Sequence, residues 1–166
     1  MVALQIQDIK IFMNKLLLSQ TFDSFLLVEG TIITYNTFRI DGRVHKNFFT
    51  EEELEANNLN NREFSLWKEI KPFCLELIKG KKTPLGFRFT IQLSKENTGK
   101  LLSSSGITSI SPENVYGLLL NIRYDSGTLN IITATNLNLF TLDKTLEHAW
   151  DDMVKRFLKQ QEISFL

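Results

Sequence analysis

The sequence predicts an α+β fold, a two-layer arrangement of one antiparallel sheet covered by helices, and three observations lead there. First, Leu118, Leu120, Ile122 and Tyr124 alternate with Gly117, Leu119, Asn121 and Arg123, which is the period of a strand buried on one face; a second strand is expected over residues 128–133. Second, Leu146, Ala149, Trp150, Met153, Val154, Phe157 and Leu158 recur at helical spacing with polar residues between them. A helix with a single apolar stripe must lay it on another layer. Third, the order strand, helix, strands, helix occurs twice along the chain.

Taken in order, residues 2–7 alternate as a first strand, and Asp8 is placed to cap a helix carrying Ile9, Phe12, Met13, Leu16 and Leu17 on one side. Residues 25–35 and 37–40 read as strands. Asp41-Gly42, a strong two-residue hairpin signal, is expected to lead into a third antiparallel strand over 43–49. Residues 51–61, acidic and rich in asparagine, read as an exposed linker. Phe64, Trp67, Ile70, Cys74 and Leu77 then repeat at helical spacing. Pro72 lacks a backbone donor and is expected to kink or split that helix near Lys71, and Gly80 to end it. Residues 87–93 begin the pattern again, with a short helix around 94–104. Asp125-Ser126-Gly127 reads as a three-residue hairpin loop with glycine in the left-handed position, and Asp143 as the cap of the last helix.

The repetition extends to residues. At a constant offset of 85, Ile6, Gln7, Lys10, Lys15, Leu16, Leu17 and Ser19 meet Ile91, Gln92, Lys95, Lys100, Leu101, Leu102 and Ser104, seven identities in fourteen positions. Val28 and Gly30 correspond to Val115 and Gly117, and Trp67 to Trp150. The expectation is one domain over 1–166 whose halves, 1–80 and 86–166, join edge to edge; coincident patterning of apolar residues is the competing explanation. This element order resembles the duplicated saddle of TATA-box-binding proteins, a likeness that carries no functional residue. The segments IDGRVHKNFF, LIKGKKTP, LNIRYDSGTLNIITAT and FTLDKTLEHAWDDM resemble a small uncharacterised family of anaerobic Gram-positive, Clostridia-type bacteria. That resemblance implies a compact bacterial protein and brings no activity or cofactor.

Composition narrows the function classes. Nineteen acidic and nineteen basic side chains leave no net charge, so no global field draws the molecule to nucleic acid or to an anionic membrane. One cysteine, Cys74, excludes an internal disulfide and a cysteine-based zinc cluster. No charged-then-apolar leader opens the chain and no apolar run approaches a membrane span, so the expectation is a cytoplasmic protein without a membrane partner.

Candidate chemistry is sparse. His148 and Asp152 lie four apart on one helix face, a spacing that suits two ligands of a divalent metal, although two ligands are no site and a solvated helix face explains them equally. Neither GxSxG, GxxxxGK[ST] nor GxGxxG occurs. Cys74 falls on an apolar helix face and reads as core. The main electrostatic feature is the basic strip Lys79, Lys81, Lys82 and Arg88, with no acidic residue between Leu77 and Lys95; it is suited to phosphates or an acidic partner, and equally to a helix C-terminus and a turn. Tyr35, Phe38, Tyr116 and Tyr124 fall on strands, where they either line an open face or pack in the core. The sequence therefore favours a non-enzymatic binding module, without a cofactor, whose partner is a protein or a second copy of itself. The alternatives are a binder of nucleic acid or an acidic ligand using the basic strip, and an enzyme with a site near His148 and Asp152.

Overall fold

A computed structural model describes residues 1–166. Seven strands, β1 (Ala3–Gln5), β2 (Leu26–Ile33), β3 (Thr37–Asp41), β4 (Ser65–Leu66), β5 (Gly86–Gln92), β6 (Val115–Asp125) and β7 (Thr128–Leu137), form one antiparallel sheet. Its order is β1-β7-β6-β5-β2-β3, with β4 on a short stretch of β2. The helices are α1 (Ile9–Leu17), α2 (Glu51–Ala56), α3 (Trp67–Ile78), α4 (Lys95–Ser104) and α5 (Thr145–Gln160). The α+β class read from the sequence is the fold observed.

Alternation decides which face the core occupies. Ile32, Phe87, Phe89, Ile91, Leu118, Leu120, Ile122, Leu129 and Ile131 point to one side and are buried, joined there by Phe12 and Leu16 of α1, Trp67 and Cys74 of α3, Leu101 and Leu102 of α4, and Trp150, Val154 and Leu158 of α5. The two indoles lie at 0% and 1% exposure, and each donates its Nε1–H to a backbone carbonyl, Trp67 to Leu16 at 2.8 Å and Trp150 to Leu119 at 3.1 Å. Buried Asp151 adds a polar tie between layers, accepting a hydrogen bond from Thr133 Oγ1 at 2.5 Å.

Local chemistry sets the helix ends. Asp8 accepts from Ile11 N at 3.0 Å and starts α1, and Ser94 accepts from Asn97 N at 3.2 Å and starts α4. Asp143 is not the N-cap of α5, which is Lys144; its carboxylate instead receives Thr145 Oγ1 and Thr145 N, which hold it below the usual aspartate range. Gly80, at φ 138°, follows the end of α3 as anticipated. Pro72 does not split that helix, which runs unbroken from Trp67 to Ile78.

Four sequence expectations need correction. The third strand over 43–49 does not form: Arg43 makes a single bridge to Phe64, and Lys46–Phe48 is a short 3-10 turn. Asp41-Gly42 is no hairpin turn. Gly42 instead donates to Val28 O at 2.9 Å and lies so close to β2 that an added Cβ would sit 1.7 Å from Leu27 O. Residues 51–61 are not an open linker, since Thr50 and Glu53 form a reciprocal capping box that starts α2, and Leu59–Asn61 makes a 3-10 turn with Leu59 buried. The β6–β7 loop has two residues rather than three. Asp125 pairs with Thr128, and Ser126 and Gly127 both take positive φ, 51° and 80°, the signature of a type I′ turn whose twist matches the flanking strands.

The two halves meet where β2 pairs with β5. In the second half β5 lies beside β6; in the first, β1 lies apart from β2 at the far edge beside β7. Residues 1–80 also carry α2 and β4, which have no counterpart in residues 86–166.

Candidate anion-binding face

The helices of the core pack on one side of the sheet, so the other side presents the remaining members of each alternation, polar at the centre and apolar at Ile33, Leu119, Ile132 and Ala134. Register places them in rows. Across neighbouring strands Arg39 of β3 stands opposite Thr31 of β2, Thr31 opposite Arg88 of β5, Arg88 opposite Arg123 of β6, and Arg123 opposite Asn130 of β7. The next row reads Asp41, Glu29, Thr90, Asn121 and Ile132. A groove of about 960 Å³ runs over these side chains, bordered by Glu29, Arg39, Arg88, Thr90, Asn121 and Arg123.

Its electrostatics are unusual for an ordinary solvated sheet. Arg88 and Arg123 are directly opposite on central strands, about 5 Å apart at their Cα atoms, and like charges in that relation destabilise a sheet. Compensation is slight. Arg123 reaches Asp125 only at 3.9 Å, while Arg43 and Arg62 pair with Glu63 and Glu69 elsewhere and Arg39 and Arg88 have no ion-pair partner. Beside the pair, Thr90 donates its hydroxyl to Asn121 Oδ1 at 2.9 Å, which orients the amide and leaves its NH₂ group as a free donor. Glu29 and Asp41 form the acidic limit of the surface, toward the β3 edge.

The residues singled out in the sequence do not converge. Strand register places Arg88 on the open face. Lys79 caps α3 and pairs with Glu76 at 2.6 Å, and Lys82 borders a different, largely apolar groove between α1 and α3. Tyr124 and Phe38 point to the helix side, where Tyr124 stacks on Phe87 with centroids 5.2 Å apart, and Tyr35 sits in the β2–β3 turn. His148 and Asp152 are exposed on α5, and nowhere do three or more His, Cys, Asp or Glu side chains gather in a metal-binding group. Cys74 is buried, and burial pushes its thiol up to about 12, so it stays protonated and unreactive as a nucleophile.

Arg39, Thr90, Asn121 and Arg123 are the members of this face that the sequence reading missed. The available signal was their place on the polar side of an alternating strand, three strands distant in one case from Arg123 to Arg39. A second cavity, about 560 Å³ beside His45, Phe48 and Arg62, is less suited to a charged ligand because Arg62 already holds Glu69 at 2.8 Å. No helix is long and apolar enough to cross a membrane.

Comparison with known proteins gives one match: the model of a family of unknown function, DUF5721, covers residues 15–166. No curated protein and no solved structure matches the chain.

Proposed function

Because the chain belongs to DUF5721, a family that comes with no assigned activity, we propose its function from the geometry: a binding module that takes an acidic ligand on the open face of its sheet. The observation that carries this reading is the pair Arg88 and Arg123, set directly opposite on central strands and flanked by the Thr90 hydroxyl and the Asn121 amide, in a groove whose rim also carries Glu29, Asp125 and the apolar Ile33 and Ile132. A bound anion supplies the missing charge. Around the arginine pair the open-face positions of β2, β5, β6 and β7 hold no aromatic side chain, which leaves a nucleobase at the pair nothing to stack on and disfavours single-stranded nucleic acid there. Tyr35, Phe48, Phe73 and Phe140, four of the exposed large apolar side chains, belong to separate segments, so they offer an apolar protein interface less to rest on than the arginine row.

Retention on phosphocellulose tests this. The chain has zero net charge, so binding at low salt has to come from a local surface. The wild type is expected to be held and to elute as salt rises. Arg88→Glu with Arg123→Glu should flow through, whereas Lys155→Glu with Lys159→Glu, on α5, should elute like the wild type. Equal retention of the two double variants would contradict the open-face reading.

A further inference from the structure

We infer that the quartet Arg88, Thr90, Asn121 and Arg123 is a phosphoryl-binding site, and that the ligand of the open face is a small molecule carrying a phosphate monoester or a pyrophosphate. This inference rests on the open-face reading and narrows it to one chemistry.

The quartet is a square at the centre of the sheet. Arg88 and Thr90 lie two apart on β5, Arg123 and Asn121 two apart on β6, and register sets Arg88 opposite Arg123 and Thr90 opposite Asn121. Strand period 2 sends all four side chains to the same face. Two guanidiniums present two planar donor forks, a geometry that matches phosphate oxygens in bidentate fashion. Charge makes the choice between oxyanions. A phosphate monoester carries about −1.5 to −2 near pH 7 and neutralises both arginines, whereas one carboxylate carries a single charge and leaves the pair repelling. The third corner adds direction: with Thr90 donating to Asn121 Oδ1, the Asn121 Nδ2 hydrogens are free to donate to a phosphoryl oxygen.

The surroundings select a small ligand. Glu29 is paired with Thr90 across β2 and β5, so a second anionic group extending toward that corner meets a carboxylate. Asp125, 3.9 Å from Arg123, closes the opposite side. Extension toward β3 is favourable, because Arg39 lies in the arginine row two strands from Arg88, roughly 10 Å away. The groove thus takes one phosphoryl group at the quartet, with room toward Arg39 for a second anionic group or a polar body.

Thermal unfolding with inorganic pyrophosphate, phenyl phosphate and succinate, at matched ionic strength, is the test. For the wild type, pyrophosphate and phenyl phosphate at a hundredfold excess over their dissociation constants should raise Tm by about 5 °C or more, and succinate should not. Arg88→Gln should raise the Tm of the free protein by about 2 °C, since it removes a like-charge pair, and should abolish the phosphate-induced rise; a merely structural arginine would give the reverse of the first result. Arg88→Lys, which keeps the charge and loses the fork, should weaken pyrophosphate at least tenfold. Undiminished binding by Arg88→Lys, or a rise with succinate equal to that with phenyl phosphate, would overturn the phosphoryl site while leaving an acidic-ligand surface standing. Absence of any rise in the wild type, together with normal retention on phosphocellulose, would overturn the site alone; absence of both would remove the open-face reading with it.

Discussion

Trp67→Ala and Trp150→Ala are each expected to cost about 3–5 kcal/mol, a large share of the roughly 5–15 kcal/mol that holds a domain folded. Both indoles are fully buried, and each joins a helix to a different partner. Trp67 packs edge-on to Phe89 of β5, with centroids 5.1 Å apart, and donates to Leu16 O, so its loss opens a cavity between α3, α1 and the sheet. Trp150 fixes α5 to the sheet and satisfies Leu119 O, which truncation leaves without that donor. Urea unfolding followed by fluorescence reads each variant through the indole that remains, since the chain has two tryptophans. Phe73→Ala is the control: its ring is 65% exposed, so its effect should stay within about 0.5 kcal/mol. A cost for either tryptophan no larger than that of Phe73 would contradict the packing described.

Gly42→Ala is the second substitution of large effect, and its cause lies in backbone rather than core. The new Cβ would sit 1.7 Å from Leu27 O and 2.6 Å from Leu27 C, atoms held in the sheet and unable to swing aside. Relief requires residue 42 to leave β2, which breaks the bonds from Gly42 N to Val28 O at 2.9 Å and from Ser65 N to Gly42 O at 2.8 Å. The expected cost is at or above the top of the about 1–3 kcal/mol that overpacking ordinarily brings. Gly99→Ala, where nothing lies within 4 Å of the added carbon on α4, should be neutral or stabilising. Chemical denaturation of the two variants separates them; a Gly42→Ala protein as stable as the wild type would show that the close approach is absent.

The tryptophans and Gly42 mark how far the sequence was legible. The β6–β7 hairpin and α5 could be read because alternation holds over 117–124 and 128–133, helical spacing holds over 146–158, and each element buries one face. Gly42 could not, since its glycine serves a tertiary contact with Leu27, and in sequence an Asp-Gly pair between apolar runs is indistinguishable from a hairpin turn. The helix α2 was missed for its low apolar content, yet Thr50 and Glu53 stood at capping-box spacing and were a usable signal. Asp125 was misplaced in a three-residue loop because the two-residue turn needs a left-handed conformation at Ser126, which is uncommon for a non-glycine residue and is demanded here only by strand register.

The candidate site was less legible for a related reason. Sequence proximity grouped Lys79, Lys81, Lys82 and Arg88, but the chain turns from a helix end into β5 within that stretch, sending Lys79 to Glu76 and Arg88 to the open face. Arg88 and Arg123 are distant in sequence and adjacent in space only because β5 and β6 pair in one register. A shift of that register by one residue would send the two side chains to opposite faces of the sheet. The polar half of each alternation, Arg88 with Thr90 and Asn121 with Arg123, was present in the sequence as the half that does not pack.

The most direct measurement of the central claim is a titration of isotopically labelled protein with pyrophosphate, following the side-chain Nε–H resonances of the six arginines and the Asn121 amide by NMR. The expected result is saturable shifts at Arg88, Arg123 and Asn121, a smaller one at Arg39, and none at Arg43, Arg62 or Arg156. Shifts centred on Arg62 or Arg156, or uniform unsaturable drift at all six, would contradict a binding site on the open face of the sheet.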